Sequence, residues 1–65
     1  MASDVRFADI RRMLERHGWE LVRISGSHHI FAKDGEVRLI SLPVHRGKVK
    51  HAYVRRLARD FGIEV

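Results

Sequence analysis

The sequence predicts an α+β fold in the order helix, three antiparallel strands, helix. Segments with apolar residues at helical spacing lie near both ends of the chain, β-prone segments fill the middle, and turn-forming residues separate them. Each predicted helix is amphipathic and must bury its apolar face against the sheet. We therefore expect a three-stranded antiparallel sheet with both helices on one face, and with its other face open.

The first helix is predicted over residues 4–17. Its apolar residues recur at intervals of three and four positions: Phe7, Ile10, Met13 and Leu14. Ser3 and Asp4 offer side-chain oxygens that can cap the N-terminus of a helix. Gly18 directly follows this pattern and is expected to end the helix.

Two turn signals divide the centre of the chain into three strands. Residues 19–24 and 28–33 are rich in aromatic and β-branched side chains, and a Ser-Gly-Ser turn separates them. The pair Asp34 and Gly35 is the strongest turn signal in the sequence. It predicts a two-residue hairpin with a type I′ turn, which leads into a third strand over residues 36–42.

A basic loop and a second helix complete the predicted fold. Pro43 ends the third strand, and the loop "VHRGKVK" follows over residues 44–50. Apolar residues then recur again at helical spacing: Val49, Ala52, Tyr53, Leu57 and Phe61. Gly62 is expected to stop this helix. A chain of 65 residues is expected to form a single domain over residues 1–65.

The composition excludes several classes of protein. The chain has no cysteine, which excludes a disulfide scaffold and a thiolate metal site. No apolar run approaches the roughly 18 residues that a membrane-spanning helix needs. The N-terminal segment carries neither a secretory nor a lipidation signal. We therefore expect a cytoplasmic protein with no membrane partner.

The net charge of +5 is concentrated in the C-terminal half of the chain. Residues 1–32 carry five basic and four acidic side chains, whereas residues 33–65 carry eight basic and four acidic ones. A stretch without any acidic residue holds six of the basic ones: Arg46, Lys48, Lys50, Arg55, Arg56 and Arg59. A polyanion is the natural partner of such a stretch, because each neutralised phosphate releases counterions. The alternative is a solvated helix face with no ligand.

Two adjacent histidines, His28 and His29, are the candidates for proton transfer. Successive side chains of a strand point to opposite faces, so these two cannot bind one metal ion together. The other histidines lie in separate elements without a metal-binding spacing, and we expect neither a metal nor a cofactor. If Phe31 faces the helices, His28 lies on the open face. The opposite register would expose His29, and the residues alone leave both possibilities open.

An exposed histidine beside a basic surface has a clear chemical use. Neutral imidazole can take the proton of a ribose 2′-hydroxyl, whose oxygen then attacks the adjacent phosphate of an RNA chain. Lysine or arginine can stabilise the negative charge that develops on that phosphate. The alternative is that both histidines are ordinary polar residues at the start of a strand.

An ordered set of four motifs resembles the HicA toxin family of bacterial toxin–antitoxin systems. The motifs are "MLERHGWELVR" at 13–23, "GSHHIF" at 26–31, "LPVH" at 42–45 and "VRRLARDFGI" at 54–63. The resemblance implies a fold like that of the double-stranded-RNA-binding domain. It also implies the toxin of a type II system, a metal-independent endoribonuclease that cleaves mRNA and is silenced by a HicB antitoxin. We expect this toxin alone to be a monomer.

The resemblance also implies the roles of individual residues. The histidine after Gly-Ser is the catalytic one in the family, which corresponds to His28 here, and Phe31 matches the apolar residue three positions later. Gly26 and Ser27 correspond to a turn that brings the backbone close to the RNA. The charge distribution, and not the resemblance, is the basis for expecting phosphate contacts from the six basic residues of the acid-free stretch: Arg46, Lys48, Lys50, Arg55, Arg56 and Arg59.

The chain departs from the family at one motif. Members commonly have a Gly-Thr pair that leads into the last helix, where this chain has His51 and Ala52. The competing function is a non-catalytic RNA-binding module, because the related fold often only grips A-form RNA by its shape. Binding of DNA by the last helix is a third possibility, but the helix lacks a helix-turn-helix partner.

Overall fold

The computed structural model describes residues 4–64. Along the chain the elements are β1 (Asp4–Arg6), α1 (Phe7–Arg16), β2 (Trp19–Ser25), β3 (His28–Lys33), β4 (Ile40–Pro43), β5 (Lys48–Lys50) and α2 (His51–Phe61). Strands β2, β3 and β4 form an antiparallel sheet in that order, and β1 pairs with β5 in a separate two-stranded sheet. The predicted α+β fold is confirmed: along the chain, the three strands of the antiparallel sheet follow one helix and precede the other.

The core lies between the three-stranded sheet and the two helices. Its buried apolar side chains come from both helices, from the three strands of the sheet, from β5 and from the segment that follows α2. They are Ile10, Leu14, Trp19, Phe31, Ile40, Leu42, Val49, Val54, Leu57 and Ile63. Phe31, in the central strand, is completely buried. Since both helices pack on the face that carries Phe31, the other face of the sheet stays open.

The two-stranded sheet was not predicted. Its three residue pairs are Asp4 with Lys50, Val5 with Val49, and Arg6 with Lys48. Val49, which the helical spacing assigned to the second helix, is instead buried in β5. Helix α2 therefore begins only at His51, and residues 44–50 are not a loop throughout.

The first helix begins three residues later than predicted, at Phe7. Arg6 occupies the N-cap position and makes no side-chain capping hydrogen bond. Asp4, a predicted capping residue, pairs in β1 instead, and Ser3 lies outside the described residues. The backbone N–H of Phe7 donates to the carbonyl of Gly47 at 2.8 Å, so tertiary pairing replaces the expected cap.

The turn at Asp34 and Gly35 is present, but its predicted type is wrong. The backbone N–H of Glu36 donates to the carbonyl of Lys33 at 3.1 Å, which closes the turn. Gly35 has a φ of 82°, whereas Asp34 is not among the residues with positive φ. A type I′ turn requires positive φ at both central residues. The sign pattern here is that of a type II turn.

The register between β3 and β4 also differs from the prediction. A two-residue hairpin would place Arg38 opposite Phe31, but Ile40 lies there. The third strand therefore begins at Ile40 and ends at Pro43. Residues 34–39 form a longer connection between the two strands.

Arg38 explains why this connection leaves the sheet. Its guanidinium donates to both carboxylate oxygens of Glu36, at 3.0 and 3.2 Å, and to the backbone carbonyl of Asp60 at 3.1 Å. It also lies 4.4 Å from the ring centroid of Phe61. These contacts hold the connection against the C-terminal end of α2. The hydrogen bonds from Arg38 lower the pKa of Glu36 from 4.5 to about 2.

This contact yields a pH-dependent prediction. In an Arg38→Ala variant, the pKa of Glu36 should return from about 2 toward its ordinary value of 4.5. Because the pKa is lowered in the folded protein, the stability that Glu36 contributes is present above pH 4.5 and lost as the pH falls toward 2. The variant should not show this loss of stability between pH 4.5 and 2. NMR titration of the side-chain carboxyl carbon measures the pKa directly.

Arg59→Ala is the matched control for this titration. Arg59 pairs with Asp60 at 3.2 Å and does not contact Glu36, so its removal should leave the low pKa of Glu36 in place. An unchanged pKa of Glu36 in the Arg38→Ala variant would show that residues 34–39 are not held as described.

Candidate active site

The site is built on the tight turn between β2 and β3. Ser25 pairs with His28, so Gly26 and Ser27 are the two central residues of a hairpin turn. Gly26 has a φ of 61°, and positive φ at the first central residue alone is the pattern of a type II′ turn. A Cβ at Gly26 would meet no atom within 4 Å, so glycine is required for its backbone conformation and not for space.

His28 is the first residue of β3 and its side chain is exposed on the open face. Phe31 is buried on the helix side, so the observed register is the one in which Phe31 faces inward. The Nδ1 atom of His28 lies 3.5 Å from the hydroxyl oxygen of Ser41, at the limit of a hydrogen bond. Within residues 4–64, Nε2 of His28 makes no hydrogen bond. The second ring nitrogen is therefore free to meet a ligand.

His29 points toward the helices and is half-buried. Its Nδ1 atom lies 3.2 Å from the carbonyl oxygen of Ser27, and because a carbonyl can only accept, this nitrogen carries the proton. Its ring lies 4.6 Å from that of Phe7, edge to face. The same Ser27 carbonyl accepts the backbone N–H of Val44 at 2.7 Å. His29 thus helps to hold the turn that presents His28.

A second tight turn follows β4. The backbone groups of His45 and Lys48 exchange hydrogen bonds of 2.9 and 3.0 Å, with Arg46 and Gly47 between them. Arg46 has a φ of 55° and Gly47 a φ of 75°, which is the pattern of a type I′ turn. Arg46 is the one residue other than glycine with positive φ among residues 4–64. That conformation costs a non-glycine residue about 1–2 kcal/mol.

The predicted basic residues all lie on the C-terminal part of the fold and are exposed. Arg46 occupies the tip of the second turn, and Lys48 and Lys50 flank the buried Val49 in β5. The three helix arginines project from α2, where they line a shallow depression of about 380 Å³ with Ala52: Arg55, Arg56 and Arg59. The bond from Val44 to Ser27 connects the Arg46 turn to the turn before His28. Helix α2 packs against β1 and β5.

Most of these basic residues have no acidic partner. In and directly before α1, Arg6 and Arg12 pair with Asp9, and Arg11 pairs with Glu15. Within residues 4–64, five basic residues of the C-terminal stretch form no ion pair: Arg46, Lys48, Lys50, Arg55 and Arg56. Arg59 is the exception, because it pairs with Asp60. The positive charge of the N-terminal half is thus partly neutralised internally, whereas most of the charge of the stretch from Arg46 to Arg59 is available to a ligand.

Two residues of the open face were not singled out from the sequence. Ser41 lies between the buried Ile40 and Leu42, so the alternation of β4 turns it toward the face of His28. That alternation was visible in the sequence. Arg23 lies opposite Ile30 on the same face, and no alternation in the sequence indicates this.

The described part of the chain lacks two further features. Within residues 4–64, no group of three or more histidine, cysteine or carboxylate side chains is placed to hold a metal ion. None of the helices in this range has the length and apolar character needed to cross a membrane.

Comparison with known proteins adds one finding. The family model described as HicA toxin of bacterial toxin-antitoxin matches residues 7–63, from the start of α1 to just beyond α2. No curated protein and no solved structure shows a significant match to the chain. The matched range contains both helices, the three-stranded sheet and every candidate site residue. The chain belongs to the HicA toxin family of bacterial toxin–antitoxin systems.

Proposed function

We propose that the chain is a metal-independent endoribonuclease that cleaves mRNA, with His28 as the proton-transfer residue. Its family makes it a toxin and implies a HicB-type antitoxin as its partner. The observation that carries the proposal is the exposure of His28 at the end of a constrained turn, with Nε2 free of any described partner. A histidine that served only to pack β3 would not need this position.

The proposed reaction uses the ribose next to the scissile phosphate. Nε2 of neutral His28 removes the proton of the 2′-hydroxyl, and the 2′ oxygen forms a bond to phosphorus. The bond from phosphorus to the 5′ oxygen breaks, and this oxygen takes a proton from water or from the imidazolium. The products are a 2′,3′-cyclic phosphate and a 5′-hydroxyl. Ser41 orients the ring through Nδ1.

The unpaired basic residues supply contacts to the rest of the RNA backbone. Arg46 sits on the turn that is bonded to the His28 turn, so it is the basic residue of the C-terminal stretch best connected to the site. Lys48 and Lys50 continue the positive surface along β5, and Gly26 and Ser27 offer a turn that RNA can approach closely. We also assign contacts with the RNA backbone to the three arginines that line the depression on α2: Arg55, Arg56 and Arg59. Such contacts position the RNA and carry little sequence information.

Substitution of each histidine tests which one is the base. His28→Ala should lower the single-turnover cleavage rate by about 10²- to 10⁴-fold. The change should alter the free energy of unfolding by less than about 0.5 kcal/mol, because the side chain is exposed. His29→Ala should destabilise the fold by roughly 1–3 kcal/mol, because it removes one of the two hydrogen bonds to the Ser27 carbonyl and the edge-to-face contact with Phe7.

The pair of variants distinguishes the two roles. Both are assayed for cleavage of a short RNA and for urea-induced unfolding, at a temperature where both remain folded. Loss of cleavage in His29→Ala with full activity in His28→Ala would contradict the assignment. Binding of RNA without cleavage by the wild-type protein would favour the non-catalytic RNA-binding module.

A modified substrate tests the proposed nucleophile. An RNA with a 2′-deoxy sugar at the scissile position should bind with similar affinity but resist cleavage, because the missing oxygen is the attacking group. Cleavage of the unmodified RNA should continue in excess chelator. The matched control carries the deoxy sugar three nucleotides away and should be cut normally. If the deoxy position is cut at the normal rate, or if the chelator stops the reaction, the proposed chemistry is wrong.

The strained Arg46 gives a prediction in which stability and binding change in opposite directions. Arg46→Asn should raise the free energy of unfolding by up to about 1 kcal/mol, because asparagine tolerates positive φ better than arginine. The same change should weaken RNA binding and reduce the slope of log K against log salt by about 0.7. Arg46→Lys keeps both the strain and the charge and is the control. If the Arg46→Asn variant binds RNA as tightly as the wild-type protein does, Arg46 is not part of the RNA interface.

A further inference from the structure

Strand β2 contains a β-bulge directly before the site. Leu21 lies opposite Phe31, but the next pair is Arg23 with Ile30, so Val22 has no partner on β3. An extra residue of this kind reverses the alternation of the side chains that follow it. Bulges often occur beside active sites, where they redirect a side chain.

The bulge determines the face on which Arg23 lies. Trp19 and Leu21 face the core, and uninterrupted alternation would turn Arg23 toward the core as well. Without the bulge, Arg23 would lie opposite His29, where Ile24 lies now, and its side chain would point away from the face of His28. With the bulge, Arg23 shares the face of Ile30, and therefore of His28, and its side chain is exposed.

Arg23 is a diagonal neighbour of His28 on this face. Ser25 pairs directly with His28, and Arg23 lies two residues before Ser25 on the same strand. Diagonal neighbours of an antiparallel pair are about 7–8 Å apart, within reach of a long side chain. Ser41 approaches His28 from the other neighbouring strand, β4. The register thus places Arg23, His28 and Ser41 in one region of the open face, on three adjacent strands.

Arg23 has no internal role that would account for this position. Within residues 4–64 it makes no ion pair and no side-chain hydrogen bond. It is the basic residue that the sheet register brings to the strand position beside the His28 and Ser25 pair. A guanidinium can bind two oxygens of one phosphate at the same time, which a lysine cannot do with the same geometry.

We propose that Arg23 is a catalytic residue that binds the scissile phosphate of the RNA. This inference rests on the proposed ribonuclease function of His28. Arg23 donates two hydrogen bonds to the non-bridging oxygens, whose negative charge increases when the 2′ oxygen adds to phosphorus. The bulge at Val22 serves to place this side chain on the face of the proton-transfer residue.

Arg23→Ala should lower the single-turnover rate at saturating RNA by about 10²-fold. Arg23→Lys should recover only part of this loss, since lysine restores the charge but not the paired donors. Arg16→Ala is the matched control. Arg16 is also exposed and forms no ion pair within residues 4–64. It lies at the C-terminal end of α1, close in sequence to the start of β2, whereas the His28 turn follows the other end of that strand. Its loss should leave the rate at saturation unchanged.

A phosphorothioate substrate separates phosphate binding from a merely structural role. Replacement of a non-bridging oxygen by sulfur should slow the wild-type enzyme, because sulfur accepts the arginine hydrogen bonds poorly. In Arg23→Ala this additional slowing should be much smaller, since the contact is already lost. An equal slowing in both proteins would overturn the inference.

The two proposals fail in different ways. If wild-type protein cleaves RNA, His28→Ala does not, and Arg23→Ala cleaves at the wild-type rate, the role of Arg23 is wrong while that of His28 stands. If Arg23→Ala and Arg16→Ala weaken RNA binding equally and neither changes the rate at saturation, Arg23 is an ordinary backbone contact and the inference is again wrong. A wild-type protein without cleavage overturns both proposals.

Discussion

The burial of Phe31 is the constraint on which the candidate site depends. Phe31 is completely buried in the central strand, and full burial of such a side chain is worth roughly 1.5–3 kcal/mol, a large share for a fold of this size. Strand alternation then leaves no choice for its neighbours, so His29 points to the core and His28 to the open face. The packing of one aromatic side chain thus decides which histidine can meet a ligand.

The inward histidine and the two tight turns make this arrangement specific. His29 and the backbone of Val44 both donate to the carbonyl of Ser27, so the turn before His28 is held from the core and from the end of β4. The bond from Val44 also connects this turn to the one that carries Arg46, where backbone strain is tolerated. The proposed proton-transfer residue His28 and the proposed phosphate contact Arg46 are therefore held by one small hydrogen-bonded unit.

The sequence predicted the elements better than the connections. Helical periodicity and Gly62 predicted α2 and its C-terminal end correctly, but not the residue at which it begins. The bounds of β3 were predicted correctly. The hairpin register was wrong because Arg38 holds the connection against α2, and no local pattern reveals that distant contact. A register change of two residues keeps every side chain on its face, so the position of Ser41 on the side of His28 was still predictable. The bulge changes the count by one, and the face of Arg23 was therefore not predictable.

Chemical modification of the two histidines tests the central claim most directly. Diethylpyrocarbonate should modify His28 much faster than His29, and mass spectrometry of the digested protein can assign each product. Modification of His28 should abolish RNA cleavage, and a bound RNA with a 2′-deoxy sugar at the scissile position should protect His28. Faster modification of His29, or unprotected His28 in the presence of bound RNA, would contradict the account.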